Sequence, residues 1–345
     1  MPGPAPRWDL ENTVKKRERT SLPRAGTRRF APSQVTFCNV PALLAERHPI
    51  AIPRPAYVRE VLPQDVWQAQ AEAHQARLRP VLDPYLDGRN RGVKDPVMDF
   101  LFEYYTFRLS RLLRWSPGFG VALQGEAAEV FLGQPVFARV PVGVVLDPAH
   151  FPASRKRGVR WIGAVLAATE ARPAFLGCHG MHEWAMVYRA EAVRHGQVPL
   201  RMPPEELAAF VAASPVACTH YDAFRFFTPE ARPLNRHQPT HETMTALEQP
   251  GCLHTNMDVY RWAYKLYPWT PADLLADAFL LACRIREIDM RASPYDLRGF
   301  GLDPIRIETP EGRRVYRQYQ QQFARDAAPL RARLRGVYEA LMAWF

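Results

Sequence analysis

From residue 63 to the C-terminus, apolar side chains recur three and four residues apart in one segment after another. That period admits helices packed on helices and little else. Patterned stretches at 155–171, 176–189, 204–213, 240–249, 253–267, 271–291 and 312–342 are predicted helices. Asp95 followed by Pro96 is an N-cap and first-turn signal, so a further helix is expected to run through VMDFLFEYYTFRLSRLLRW until Ser116, Pro117 and Gly118 stop it. At helical intervals Asp99, Glu103, Thr106 and Ser110 fall on one narrow stripe with apolar or aromatic side chains around the rest, which predicts a largely buried helix. The run PVFARVPVGVVLD, within 118–147, reads instead as two short strands. The expected fold is mostly α: a single helical domain over 63–345 with a small β-hairpin insertion. Upstream, Pro41, Pro49, Pro53 and Pro55 predict an extended, Pro-rich segment at 36–62. Residues 1–35 are rich in Pro, Arg and Ser and lack any apolar period, so a flexible, disordered basic arm is expected there.

Charge narrows the choice of partner less than its total suggests. The 345 residues carry 45 Lys and Arg against 35 Asp and Glu, a formal +10. Residues 1–30 hold eight basic and three acidic side chains, giving +5, and residues 301–345 hold eight and five, giving +3. The stretch between them is left at only +2. Contact with duplex DNA through charge should therefore run through the arm and the C-terminal helix. At 47% hydrophobic the chain can bury a large core, which excludes a disordered or fibrous protein. The longest apolar run, near 140–146, is far short of the ~20 residues a membrane span needs, and no secretory apolar segment follows the N-terminal charges. No membrane association is expected. The five cysteines are scattered and never form a C-x-x-C pair, so reduced thiols and a cytoplasmic location are expected.

The sharpest signal is a polar group where an apolar one belongs. In PADLLADAFLLACRIREIDMRASPYD, the residues Leu274, Leu275, Ala278, Leu281, Ala282 and Ile285 share one helical face, and Asp289 falls in the middle of it. An unpaired buried carboxylate is expensive, so Asp289 should pair with a cation, for which Arg286 is the local candidate, or sit in a cavity as a functional acid. A frayed helix end that leaves Asp289 exposed is the bland alternative. In GCHGMHEWAMVYR, a helix would put His179, His182, Glu183 and Met186 on one face. H-E-x-x-H would require His where Met186 stands, so the zincin pattern is absent; the two imidazoles and the carboxylate could still handle protons or a metal. His254, Asp258, Arg261 and Lys265 make one polar stripe, expected to be a solvated face. His220 and Asp222 lie in HYDAFRFF, where four aromatics crowd one Asp and Arg225. Such a cluster suits a pocket for a flat, cationic ring, or an ordinary aromatic core.

Nucleotide-phosphate motifs are missing: there is no Walker A loop and no G-x-G-x-x-G. LRGFGLDP at 297–304 superficially matches the hairpin of a helix-hairpin-helix, but Pro304 and IRIETP follow where a helix should begin. The strings DFLFEYYTFR, RLLRWSPG, HEWAMVYR, HYDAFRFFTPEARPLN, EQPGCLHTNMDVYRWAYKL, IDMRASPYDL and IRIETPEGRRVY resemble a bacterial family commonly labelled 3-methyladenine DNA glycosylase, across about residues 66–334. The resemblance implies DNA base excision, a hydrolase removing alkylated purines with no cofactor. It supplies the substrate class only.

Residue types suggest the roles. Methylation at N3 makes the adenine cationic and a good leaving group, leaving the enzyme to flip the nucleotide, stack the base and place a carboxylate. Glu183, Asp289 or Asp222 would be that carboxylate, Trp184, Tyr188, Phe224 and Phe226 the stacking rings, and Arg225 or Arg291 the phosphate contacts. The competing expectation is a small-molecule hydrolase using a divalent metal held by His182, His220 and His254 with Glu183 or Asp258. A non-catalytic nucleic-acid or protein interaction module would instead have no enclosed pocket.

Overall fold

In the computed structural model, residues 54–191 and 198–345 are described. The basic arm expected at 1–35, and 36–53 of the Pro-rich segment, lie outside them. Glu60–Leu62 (β1) leads into the long helix Gln64–Asn90 (α1), and short helices follow at Pro96–Asp99 (α2) and Leu109–Leu113 (α3). A small sheet is completed by Val121–Leu123 (β2), Phe137–Val140 (β3) and Gly143–Leu146 (β4). The remaining helices are Ala153–Glu170 (α4), Met181–Ala185 (α5), Pro204–Ala213 (α6), Tyr221–Phe224 (α7), Met244–Leu247 (α8), Leu253–Lys265 (α9), Ala272–Arg291 (α10) and Pro310–Met342 (α11). The fold is mostly α, and no described helix is long and apolar enough to cross a membrane.

The centre is α9 against α10, with α11 laid across both and against α4. Alternation of size at this contact is tight: Tyr260 and Phe279 meet with ring centroids 5.3 Å apart, and both are fully buried. Helix α11 begins where Thr309 accepts from the Gly312 amide (3.0 Å), with Pro310 at its first position.

The predicted hairpin is β3–β4, with Phe137 opposite Leu146 and Val140 opposite Gly143 across the Pro141–Val142 turn. It is not alone: β2 pairs antiparallel with β4, and β1 pairs parallel with β2. The extended reading of 36–62 thus ends in a true strand. Gly143 has to be glycine, because its φ is +138° and a Cβ would sit 2.3 Å from the Leu123 carbonyl oxygen.

Three helices expected from the period are broken or cut short. The stretch 96–115 forms α2, then a wide π turn at Phe100–Tyr104, then a break at Thr106 (φ +54°) before α3. In that turn the Phe107 amide reaches back five residues to the Phe102 carbonyl (3.0 Å), and the aromatic side chains leave the wheel that a regular helix would give them. The stretch 176–189 is helical only at α5, because His179 (φ +49°) and Gly180 (φ +80°) turn the chain just before it. His179 therefore does not share a helical face with His182. The stretch 240–249 likewise keeps only the single turn of α8.

Candidate active site

Four segments far apart in sequence converge beside α9 and α10. Helix α10 brings Arg286 and Asp289, one turn apart on its buried face, and α5 brings His182 and Glu183. The first turns of α9 bring His254 and Asp258, and the start of α7 brings His220 and Asp222. Gly180 permits the α5 approach: at its positive φ a side chain would be strained, and a Cβ would press on Ala292 and the Tyr316 ring, both at 3.3 Å.

Asp289 has no exposed surface and accepts from His182 Nε2 (2.9 Å) and from Arg286 Nη1 (2.6 Å). Arg286 Nη1 also donates to Glu183 Oε1 (3.0 Å), and its guanidinium lies 4.0 Å from the Phe100 ring centre. The buried carboxylate is thus braced by the expected arginine, and the frayed-end alternative is excluded. On the other side of His182, Nδ1 is 3.3 Å from Cys178 Sγ. A second network is built around His220, whose Nδ1 is 3.0 Å from Glu248 Oε2. Asp258 accepts from Tyr105 Oη (3.1 Å) and Arg261 Nη1 (3.2 Å), and Arg261 also reaches Asp222. The polar stripe of α9, expected to be solvated, points inward: His254 and Asp258 are buried and only Lys265 is exposed. Burial is possible because each carboxylate has a guanidinium or imidazole partner.

The three histidines meet. His182 and His254 have ring centroids 4.6 Å apart, and His220 stacks on His254 at 5.2 Å with an interplanar angle of 16°. Their environments push them in opposite directions. Burial opposes protonation of His220, but Glu248, then Asp258 and Asp222, outweigh it and raise its pKa to about 9. His182 is likewise raised well above its ordinary value, burial being outweighed by Asp289 and Cys178. His254 goes the other way: burial, together with the neighbouring His182, His220 and Arg286, holds it well below its ordinary value and keeps it neutral, although Asp289 pulls upward. Asp258 is raised by burial against the opposing pull of Arg261 and His220. A protonated imidazole stacked on a neutral one supplies an acid and a base side by side.

These groups form one wall of a cavity of about 390 Å³, to which Glu183, His220, Asp222, His254, Asp258 and Arg286 all contribute. Phe100, Tyr104, Tyr105, Phe226 and Phe300 line it too. Phe100 and Tyr104 are stacked at 4.6 Å, nearly parallel, by the π turn that carries both. At the mouth Arg225 lies 4.2 Å over the Phe226 ring, donates to Tyr104 Oη (3.0 Å) and pairs with Asp222 (3.0 Å).

Of the residues singled out in the sequence, Glu183, Asp222, His220, His254 and Phe226 line this cavity, and Arg225 stands beside it. Asp289 and His182 are not among the lining residues; Asp289 reaches the cavity through Arg286 (2.6 Å) and His254 (3.8 Å). Trp184 faces away, with Nε1 donating to the Ala292 carbonyl (2.9 Å) under the Arg201 guanidinium. Tyr188 and Phe224 are buried in the core, away from the lining. Arg291 is outside it too, bonded to the Asp303 carbonyl and to Glu287. Three further lining rings, Phe100, Tyr104 and Tyr105, sit in DFLFEYYTFR, a segment whose helical period predicts a buried helix rather than a cavity wall.

Among the described residues, two sets of groups could hold a metal ion: His182, Glu183, His254 and Asp289, and His220, Asp222 and Asp258, each with ligand atoms within 4.8 Å of one another. In both, a guanidinium already bridges the carboxylates, Arg286 in the first and Arg261 in the second. A metal would have to displace a buried, ion-paired arginine. The donor sets therefore fit proton chemistry better than metal ligation. Compared with protein-family models, with curated proteins and with solved structures, the chain matches none.

Proposed function

We propose that this cavity is the active site of a hydrolase that cleaves the N-glycosidic bond of an alkylated purine in DNA, the substrate class implied by the sequence resemblance. The observation that carries the reading is the pair of stacked imidazoles with oppositely shifted acidities, in a cavity also lined by aromatic rings. A planar cationic base is attracted to the rings of Tyr104 and Phe226 and to the carboxylates Glu183 and Asp258 that line the same cavity. Neutral purines gain less from those carboxylates, which favours the alkylated base.

In the reaction the bond between C1′ and the ring nitrogen breaks, and its electron pair neutralises the cationic base. Glu183, at the cavity wall, stabilises the positive charge that develops on the sugar. Water adds to C1′ and gives its proton to neutral His254, while protonated His220 hydrogen-bonds the departing ring. Asp289 and Arg286 are positioning residues: they hold His182 and Glu183 in place.

The experiment is release of free base from duplex DNA carrying a single 3-methyladenine. Single-turnover release should fall by roughly 10² to 10⁴ in His254→Gln, the range for loss of a general base, and comparably in Glu183→Gln. No release by the wild type refutes the reading.

A further inference from the structure

Among the described residues, three cations without a carboxylate partner lie together in a place the site above does not use. Part of the charge of α11 is paired: Arg314 is tied to Glu311, Arg333 to Asp273 and Asp277, and Arg335 to Glu170 and Glu339, while Arg331 is buried against Asn256. A second cavity, of about 600 Å³, opens between α3, α4 and α9. Arg111, Arg155, Arg261 and Lys265 line it. Among the described residues only Arg261 of these four has a carboxylate partner. Arg155 donates to the Lys265 carbonyl and lies 5.5 Å from the Phe151 ring centre.

Aromatic rings hold these cations where carboxylates usually would. Arg111 lies over Tyr264 (5.4 Å) and Tyr267 (5.8 Å), and Lys265 and Arg261 lie over Trp262 (5.1 and 4.5 Å). A ring orients a cation without cancelling its charge, so the field in the cavity stays positive. Crowding of like charge is felt by the groups themselves: burial, aided by Arg111, lowers Arg155, and burial, aided by Arg261, lowers Lys265. One further donor is spare: Tyr267 lines the same cavity, and its buried hydroxyl has no partner among the described residues. Three uncompensated cations and a spare hydroxyl describe the counterpart of an oxyanion with several acceptor oxygens. Tyr105, Asp222 and Arg261 line both this cavity and the first, so the two are separated by a single layer of side chains.

We propose that the second cavity binds the phosphate of a nucleotide. In its full form the inference rests on the base-cavity reading: the phosphate is that of the residue next to the base held in the first cavity. A phosphodiester in a strand and a free mononucleotide offer the same oxyanion.

The test is calorimetric binding of deoxyadenosine 5′-monophosphate, deoxyadenosine and a five-nucleotide single-stranded DNA, at low salt, to wild type and to the Arg111→Gln/Lys265→Gln double variant. Both side chains are exposed, and thermal melting checks that the variant folds. The monophosphate should bind at least tenfold more tightly than deoxyadenosine, and the double variant should lose at least tenfold for it. Arg291→Gln, outside both cavities, should lose nothing. Oligonucleotide binding tighter than the monophosphate, with a salt dependence shallower by about 1.4 in the double variant, at about 0.7 per phosphate contact, assigns the phosphate to a strand; equal binding assigns it to a free nucleotide. Equal affinity for monophosphate and deoxyadenosine, or a double variant that binds as wild type does, overturns the inference. None of these readouts needs base release, so failure of the glycosidic reading leaves them standing.

Discussion

Alkaline pH should destabilise this protein through one histidine. In the folded chain the His220 pKa is raised to about 9 by Glu248, Asp258 and Asp222, against about 6.5 for an unfolded histidine. Between those values the folded chain keeps a proton that the unfolded chain has released, so stability falls as pH rises. The contribution is complete below about pH 6.5 and is lost as pH passes through about 9. A difference of about 2.5 units at 1.36 kcal/mol each corresponds to about 3 kcal/mol. Full burial of His220 means solvent screening takes little from this figure. The assay is urea unfolding at pH 6.5, 7.5, 8.5 and 9.5 for wild type and His220→Gln. Because His182 is also raised and Cys178 titrates beside it, the wild-type profile alone mixes several groups. The difference between the two proteins isolates His220. His220→Gln should be less stable than wild type at pH 6.5, and the gap should narrow by about 3 kcal/mol by pH 9.5. A gap that stays constant across the series would show that the His220 proton is not held by the fold, and the acid role assigned to it would fall with it.

Asp289→Asn should lower stability by about 3 to 5 kcal/mol, because it strands Arg286 and His182 without their buried counter-charge; calorimetric melting reads this, and a melting temperature within a degree of wild type contradicts the network. Phe226→Ala should raise KM for the alkylated-base substrate with little change in kcat, since its ring contributes stacking and touches no reacting atom. A kcat loss equal to that of His254→Gln would place the ring in the chemistry. Base release should survive prolonged chelation, because Arg286 and Arg261 already serve as the cations of both carboxylate sets; activity lost to chelator and restored by a divalent metal would reverse that assignment. Gly180→Ala should cost about 1 to 3 kcal/mol, since the residue sits at φ +80° with ring and methyl at 3.3 Å. An unchanged melting temperature would mean the α5 approach is loose.

How much of this could be read from sequence depends on the range over which each feature is decided. Asp289 in the middle of the apolar stripe of α10 betrayed a buried carboxylate, and Arg286 three residues away betrayed its partner, because a helix fixes both by local geometry. The same locality failed at 96–115, where a π turn and a left-handed Thr106 shifted Tyr104 and Tyr105 out of helical register and into the cavity. It failed again at α9: the polar stripe from His254 to Arg261 looks solvated when the helix is considered alone, and it is Glu248, Tyr105 and Asp222 from other segments that allow it to be buried. Which aromatics face a ligand was not legible either, since Trp184 and Phe226 differ only in what packs against them. Convergence of α5, α7, α9 and α10 is a property of tertiary packing, and no single segment carries it.

The layer formed by Tyr105, Asp222 and Arg261 makes the two cavities neighbours in energy as well as in space. Arg261 Nη1 holds Asp258 and Asp222 on the first side, and its guanidinium faces the unpaired cations on the second. An anion that draws Arg261 toward the second cavity loosens its hold on those carboxylates and leaves them freer to meet a cationic ring. If both cavities bind as proposed, occupancy of one would strengthen the other, and thermodynamic reciprocity requires the factor to be the same in both directions. A layer one side chain thick can thereby let the protein count two parts of a ligand before it commits to either.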